Sequence, residues 1–119
     1  MKLQAVRGAV QIASNSAGEI TQGTQQMMQT LVEENQIEER RIVSVQFSIT
    51  ADLTAVNPAT AFRQLGYEKA PLFCCQEPPI DGAMPRVVRV LLTVYVDEGV
   101  QLQPCYLNGA EKLRPDLAV

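Results

Sequence analysis

The chain has 119 residues, 46% of them apolar and 19% charged, which fits one globular domain with a single core. It contains no histidine, which excludes Ser-His-Asp triads, Cys-His dyads, HExxH zinc sites and imidazole proton shuttles. The net charge is −3, no basic tail or Lys/Arg cluster exists to meet nucleic acid, and seven of the ten basic residues are Arg, the side chain that grips carboxylates through a rigid fork.

Residues Lys2 to Ala13 alternate as a strand. Val6, Gly8, Val10 and Ile12 share one face; Leu3, Ala5, Arg7 and Ala9 share the other. Ser16-Ala17-Gly18-Glu19 is a capping box, and a helix should run from it to about Glu34, ending at Asn35. The helix buries a stripe of Ile20, Met27, Met28, Leu31 and Val32. Glu38 to Arg41 forms a solvated connector. Ile42 to Thr50 is the cleanest strand, with Val43, Val45, Phe47 and Ile49 on one face and Ser44, Gln46, Ser48 and Thr50 on the other. Asn57 caps a short second helix with Pro58 at its first position, running to Leu65 and stopping at Gly66.

A short strand near Ala70 to Cys75 precedes a Pro78-Pro79-Ile80-Asp81-Gly82 loop. Val87 to Val96 is long, apolar on both faces and therefore central. Asp97 to Gly99 makes a turn, and a last strand near Cys105 to Leu107 leads into a tail. The order β, α, β, α, β, β, β predicts an α+β fold, a mixed sheet with helices on one face. No stretch is long and apolar enough to span a membrane, and Gln4, Arg7 and Gln11 interrupt any signal-peptide core at the N-terminus. Three cysteines, two of them adjacent, with no CxxC pair, support neither a zinc site nor a disulfide framework; a reduced, cytoplasmic protein is expected.

Arg89 is the first candidate for function. It sits mid-strand on one face with Val87, Leu91, Thr93 and Tyr95, where an unpaired charge is costly. It is either a structural ion pair or subunit contact, or an anion-binding cation held on a rigid element. Arg7 repeats the pattern, though alone it reads as an exposed edge-strand residue. Glu77 ends a strand and, paired with Arg, could be held ionised as a substrate contact. Arg63 on the outside of the short helix and Arg114 in the Pro-flanked tail read as surface, and Tyr106 as core. Cys74 has no neighbouring base to activate it.

Taken together, the ordered pieces resemble the monofunctional chorismate mutases of the small trimeric α/β class. The pieces are Val6-Arg7-Gly8-Ala9, Thr50-Ala51-Asp52-Leu53, Pro58-Ala59-Thr60-Ala61-Phe62-Arg63, Cys74-Cys75-Gln76-Glu77, Arg86-Val87-Val88-Arg89-Val90, Tyr106-Leu107 and Leu113-Arg114-Pro115-Asp116-Leu117. The resemblance covers nearly the whole chain. It implies a single domain over residues 1–119, a homotrimeric pseudo α/β-barrel with active sites between subunits, and the Claisen-type rearrangement of chorismate to prephenate without cofactor or metal.

By the same resemblance, Arg7, Cys74, Glu77, Arg89 and Tyr106 come from one subunit. Arg63 comes from a neighbour, and Asn57, Ala59 and Thr60 bind substrate. Phe73 and Leu113 line the pocket, and Arg114 belongs to a flexible segment, about residues 112–119, that closes over it. Asn57 stands where the family often has Phe, Thr60 where it can have Lys, and Phe73 where it has a smaller polar residue. Steering of the dianion then rests on Arg63 and Arg114. Two other readings fit the architecture less well. A trimeric imine or enamine hydrolase lacks the Leu-Arg-Pro-Asp-Leu ending, and a non-catalytic carboxylate-binding trimer would not need Arg7, Glu77 and Arg89 together. A chain of 119 residues leaves no separate effector domain, so allosteric feedback is not expected.

Overall fold

The computed structural model describes residues 1–116. Alternating side chains build β1 (Lys2–Gln11), and the Ser16 hydroxyl then accepts from the Glu19 amide at 3.2 Å to start α1 (Ala17–Glu34). Asn35 closes α1, its side-chain amide donating to the Leu31 carbonyl at 2.8 Å. A 3-10 turn at Glu39–Arg41 leads into β2 (Ile42–Ile49). Asn57 caps α2 (Pro58–Arg63) by accepting from the Ala59 amide at 2.9 Å. Then follow β3 (Leu72–Gln76), β4 (Val87–Val96), β5 (Cys105–Leu107) and a 3-10 turn at Ala110–Leu113.

The five strands form one mixed sheet in the order β3-β2-β4-β1-β5. β4 lies at its centre, antiparallel to both β2 and β1; β3 and β5 are the outer strands, parallel to β2 and β1 respectively. Both helices pack on one face. Val6, Val10, Val45, Phe47, Val88, Val90, Leu92 and Val94 of the sheet meet Ile20, Met27, Met28 and Leu31 of α1 and Ala59 and Phe62 of α2. Phe47 and Phe62 meet edge-on, 6.1 Å between centroids. Gly8 leaves room for its cross-strand neighbour, since a Cβ there would stand 2.9 Å from Val90 Cγ1. Among the described residues no helix is long and apolar enough to cross a membrane.

Several expectations change. The bulge between Ile42 and Ser44 turns Ile42 inward, so Val43 is exposed instead of joining Val45 and Phe47. Helix α2 ends at Arg63, not Leu65, with Gln64 as its cap. β3 begins at Leu72 and not near Ala70: Pro71 accepts from the Val45 amide at 2.9 Å but has no amide hydrogen of its own to donate to the ladder. β4 is central, but its apolar residues are not all covered: Leu91 is 38% and Tyr95 45% exposed, because the helices shield only the other face. β1 is an inner strand rather than an edge, yet Arg7 stays exposed because it points to the sheet face that the helices do not cover. The expected tail of 112–119 is described as far as Asp116; residues 117–119, including Leu117, lie outside the described residues.

Candidate active site

The uncovered sheet face carries the chemistry. Strand register lines up one row across all five strands: Cys75 beside Ser48, Ser48 beside Arg89, Arg89 beside Ala9, Ala9 beside Tyr106. The adjoining row is Phe73, Gln46, Leu91 and Arg7. Arg7 is therefore a diagonal neighbour of Arg89, roughly 7–8 Å away by strand geometry. Tyr106, two strands over, lies about 10 Å away. The alternation that buries Val88 and Val90 forces Arg89 onto this face, on a strand held from both sides.

Glu77 reaches the same point from the end of β3. Its amide donates to the Ile49 carbonyl at 2.7 Å, which extends the β2–β3 ladder by one residue and aims the side chain over β2. Glu77 Oε1 stands 2.6 Å from Arg89 Nε and accepts from Ser48 Oγ at 2.8 Å. Both charged side chains are partly buried. The pair opens onto a cleft of about 500 Å³ lined by Thr50, Asp52, Glu77, Ile80, Met84 and Arg89, within the size range of small-molecule sites. At the start of β4, Arg86 adopts a left-handed backbone (φ 53°) and its amide donates to both Asp52 carboxylate oxygens at 3.2 and 3.1 Å. Thr50 Oγ1 accepts from the Val87 amide at 3.0 Å, so the strand that carries Arg89 is anchored two residues before it.

The tail folds toward this face. Tyr106 and Leu113 pack with Ala9, Val87 and Ala110 in a second, small apolar cluster. Arg114 Nη2 pairs with Asp116 Oδ2 at 2.9 Å. The hydrogen bond from Arg114 holds the Asp116 carboxyl below the usual range, and the charge of Arg7 adds to the effect. Among the described residues, Arg7 has no ion-pair partner.

The remaining candidates are not brought together within one chain. Ala59, Thr60 and Arg63 belong to α2 and Asn57 caps it, on the covered side of the sheet, with Ala59 buried in the main core and Arg63 exposed at the helix end. Cys74 stands in register with buried Phe47 and packs against the main core, where burial above all raises its thiol pKa. Cys75, the neighbour that sequence reasoning passed over, shares the row of Ser48 and Arg89 instead. Phe73 is 65% exposed on the open face. Ser48 was also passed over. Its outward direction is plain from strand alternation, but its place between Glu77 and Arg89 depends on register across three strands.

Comparison with known proteins agrees with this geometry. The chain is 36% identical to chorismate mutase AroH of Bacillus subtilis (strain 168), over all of this chain and 95% of that one. It is 35% identical to chorismate mutase AroH of Thermus thermophilus, covering 97% and 96% of the two chains. The solved structure of a chorismate mutase from Clostridium thermocellum superposes with a TM-score of 0.87 at 34% identity, over 92% of this chain and 98% of the other. Residues 3–117 match the family described as chorismate mutase type I. With the match running from the first strand to the tail, the chain belongs to the chorismate mutase type I family.

Proposed function

We infer that the chain is a chorismate mutase that converts chorismate to prephenate, a step towards phenylalanine and tyrosine, by holding its substrate in the reactive shape and stabilising charge. The reaction is intramolecular: one C–O bond breaks as one C–C bond forms, and no proton has to move. What catalysis needs is a dianion compressed into a compact conformer and a donor for the ether oxygen as the C–O bond lengthens. The observation that carries the reading is Arg89, a cation on the central strand, clamped by Glu77 at the mouth of the cleft. Its guanidinium serves the ether oxygen and one carboxylate. Arg7 binds a carboxylate and Tyr106 orients it. Glu77 accepts from the substrate hydroxyl.

The site is shared between copies of the chain. Support comes from the separation already described: α2, with Asn57, Ala59, Thr60 and Arg63, lies behind the sheet from Arg89. The open face, with Leu3, Leu91, Tyr95 and Phe73 exposed, is an apolar surface for another copy. We assign a homotrimer in which Arg63 approaches Arg89 and Arg7 of the next subunit, while Leu113 and Arg114 close over the substrate. Three free cysteines suit a reducing, cytoplasmic setting.

The test is loss of chorismate absorbance with the purified protein. Conversion far above the spontaneous rate, with kcat nearly flat between about pH 6 and 8, is expected, since the chain has no histidine to titrate there. No conversion overturns the reading. Site sharing has its own test: mixing Arg63→Ala chains with Arg89→Ala chains should regenerate intact sites and restore activity that neither variant has alone. Mixtures that stay inactive after subunit exchange would place each site within one chain.

A further inference from the structure

We propose that Ser48 is a positioning residue that sets the geometry of Glu77 and, through it, the direction in which Arg89 presents its free donors. The inference rests on the chorismate mutase reading of the site.

Ser48 lies on β2 between β3 and β4, in register with Cys75 on one side and Arg89 on the other. Its side chain is short and half-buried, and its strand is held on both edges, so its hydroxyl has little freedom. Among the described residues, Ser48 Oγ is the hydrogen-bond donor to the Glu77 carboxylate, and it reaches Oε1 at 2.8 Å. That is the same oxygen that stands 2.6 Å from Arg89 Nε. One carboxylate oxygen is thus committed to the protein, and Oε2 remains to accept from a substrate hydroxyl.

The arrangement also matters for Arg89. A carboxylate left to itself pairs with a guanidinium through two parallel contacts, which would occupy two of the five N–H donors and neutralise the edge facing the cleft. With Oε1 pulled toward β2 by Ser48, Glu77 meets Arg89 at Nε and leaves the Nη donors for the dianion. The other charged or titratable groups around Glu77 are Cys75 on β3 and Asp52 and Asp81 at the cleft. The Asp52 carboxylate is already used by the Arg86 amide and the Thr50 hydroxyl, so it offers Glu77 no competing partner.

The test is the kinetics of Ser48→Ala and Ser48→Thr, with chorismate as the probe. Ser48→Ala should lower kcat about tenfold with KM changed less than about threefold, because the bond acts on orientation rather than on binding. Ser48→Thr, which keeps the hydroxyl, should recover kcat. In a Glu77→Gln background, Ser48→Ala should add little further loss.

Unchanged kinetics in Ser48→Ala would overturn the proposal. So would a rate loss that persists in full in the Glu77→Gln background, or one matched by an equal rise in KM, since either would take Ser48 out of the orientation of Glu77. If Ser48→Ala does not fold, Ser48→Cys, which keeps the size and weakens the donor, takes its place with the same expected directions. An inactive wild-type chain would instead count against the chorismate mutase reading itself.

Discussion

The two faces of the sheet are built from the same five strands and have opposite contents. The covered face is hydrocarbon: Val10, Val45, Leu92 and Val94 are fully buried there against Met27, Met28, Leu31 and Phe62. The open face holds Arg7, Gln46, Ser48, Arg89 and Tyr106, with apolar residues half exposed among them. Strand alternation lets each β4 residue serve one task only: Val88 and Val90 fasten the helices while Arg89 between them faces the cleft. Stability and catalysis are thereby separated by one residue in sequence and by the thickness of a sheet.

That separation can be broken from either side. Leu31→Ala, on the covered face, should cost about 4 kcal/mol of stability in urea denaturation, from lost burial and the cavity left behind. The chains that remain folded should keep kcat within about twofold. On the open face, replacing Arg89 with isosteric, neutral citrulline should leave the denaturation midpoint nearly unchanged and lower kcat about 10²- to 10³-fold, roughly 3–4 kcal/mol at the transition state. An equal loss in substrate affinity would reduce its role to binding. If both variants lost stability and activity in proportion, the two faces would not be independent.

Cys105 sharpens the comparison at smaller scale. It is buried, and desolvation pushes its thiol pKa up to about 11, against about 8.5 for a free thiol. The folded chain then holds a proton that the unfolded chain has released, so stability falls as pH rises from about 8.5 and levels off above about 11. The loss is about 3 kcal/mol. Denaturation of wild type and Cys105→Ala between pH 8 and 11 should show that component of the slope in the wild type alone. The smallest effect concerns Thr24, the one fully buried polar side chain among the described residues, whose hydroxyl has no hydrogen-bond partner. Thr24→Val keeps the shape, removes the unsatisfied group and should raise stability by about 1 kcal/mol.

Much of the fold was legible because its signals are local. The Ser16 cap, the 3.6-residue stripe of α1, Asn57-Pro58 before α2 and the period-two strands each depend on neighbours within a few residues. The misreadings occurred where a distant partner intervened. Strict alternation assigns Val43 inward, and the bulge that turns it out exists only in the pairing with β4. Cys74 and Cys75 face opposite sides of a strand by local rule, and register with Phe47 and Ser48 decides which side each takes. Nothing local marks Gly23 as a packing residue, although a Cβ there would come 2.5 Å from Ile12 Cδ1.

Composition and order of motifs were enough to set the class of chemistry. A chain without histidine, with Arg as its main cation and a cation in the middle of its most apolar strand, is suited to electrostatic handling of an anion. They also determined the element order, because secondary structure here follows periodicity and capping. Only the tertiary structure decided which arginine meets which carboxylate. Arg89 and Glu77 are twelve residues apart along the chain, yet β2 lies between their strands, and Ser48, 29 residues before Glu77, reaches the same oxygen. Hydrogen bonds and ion pairs act over about 3 Å, a distance that sequence spacing does not encode when strands from distant segments lie side by side.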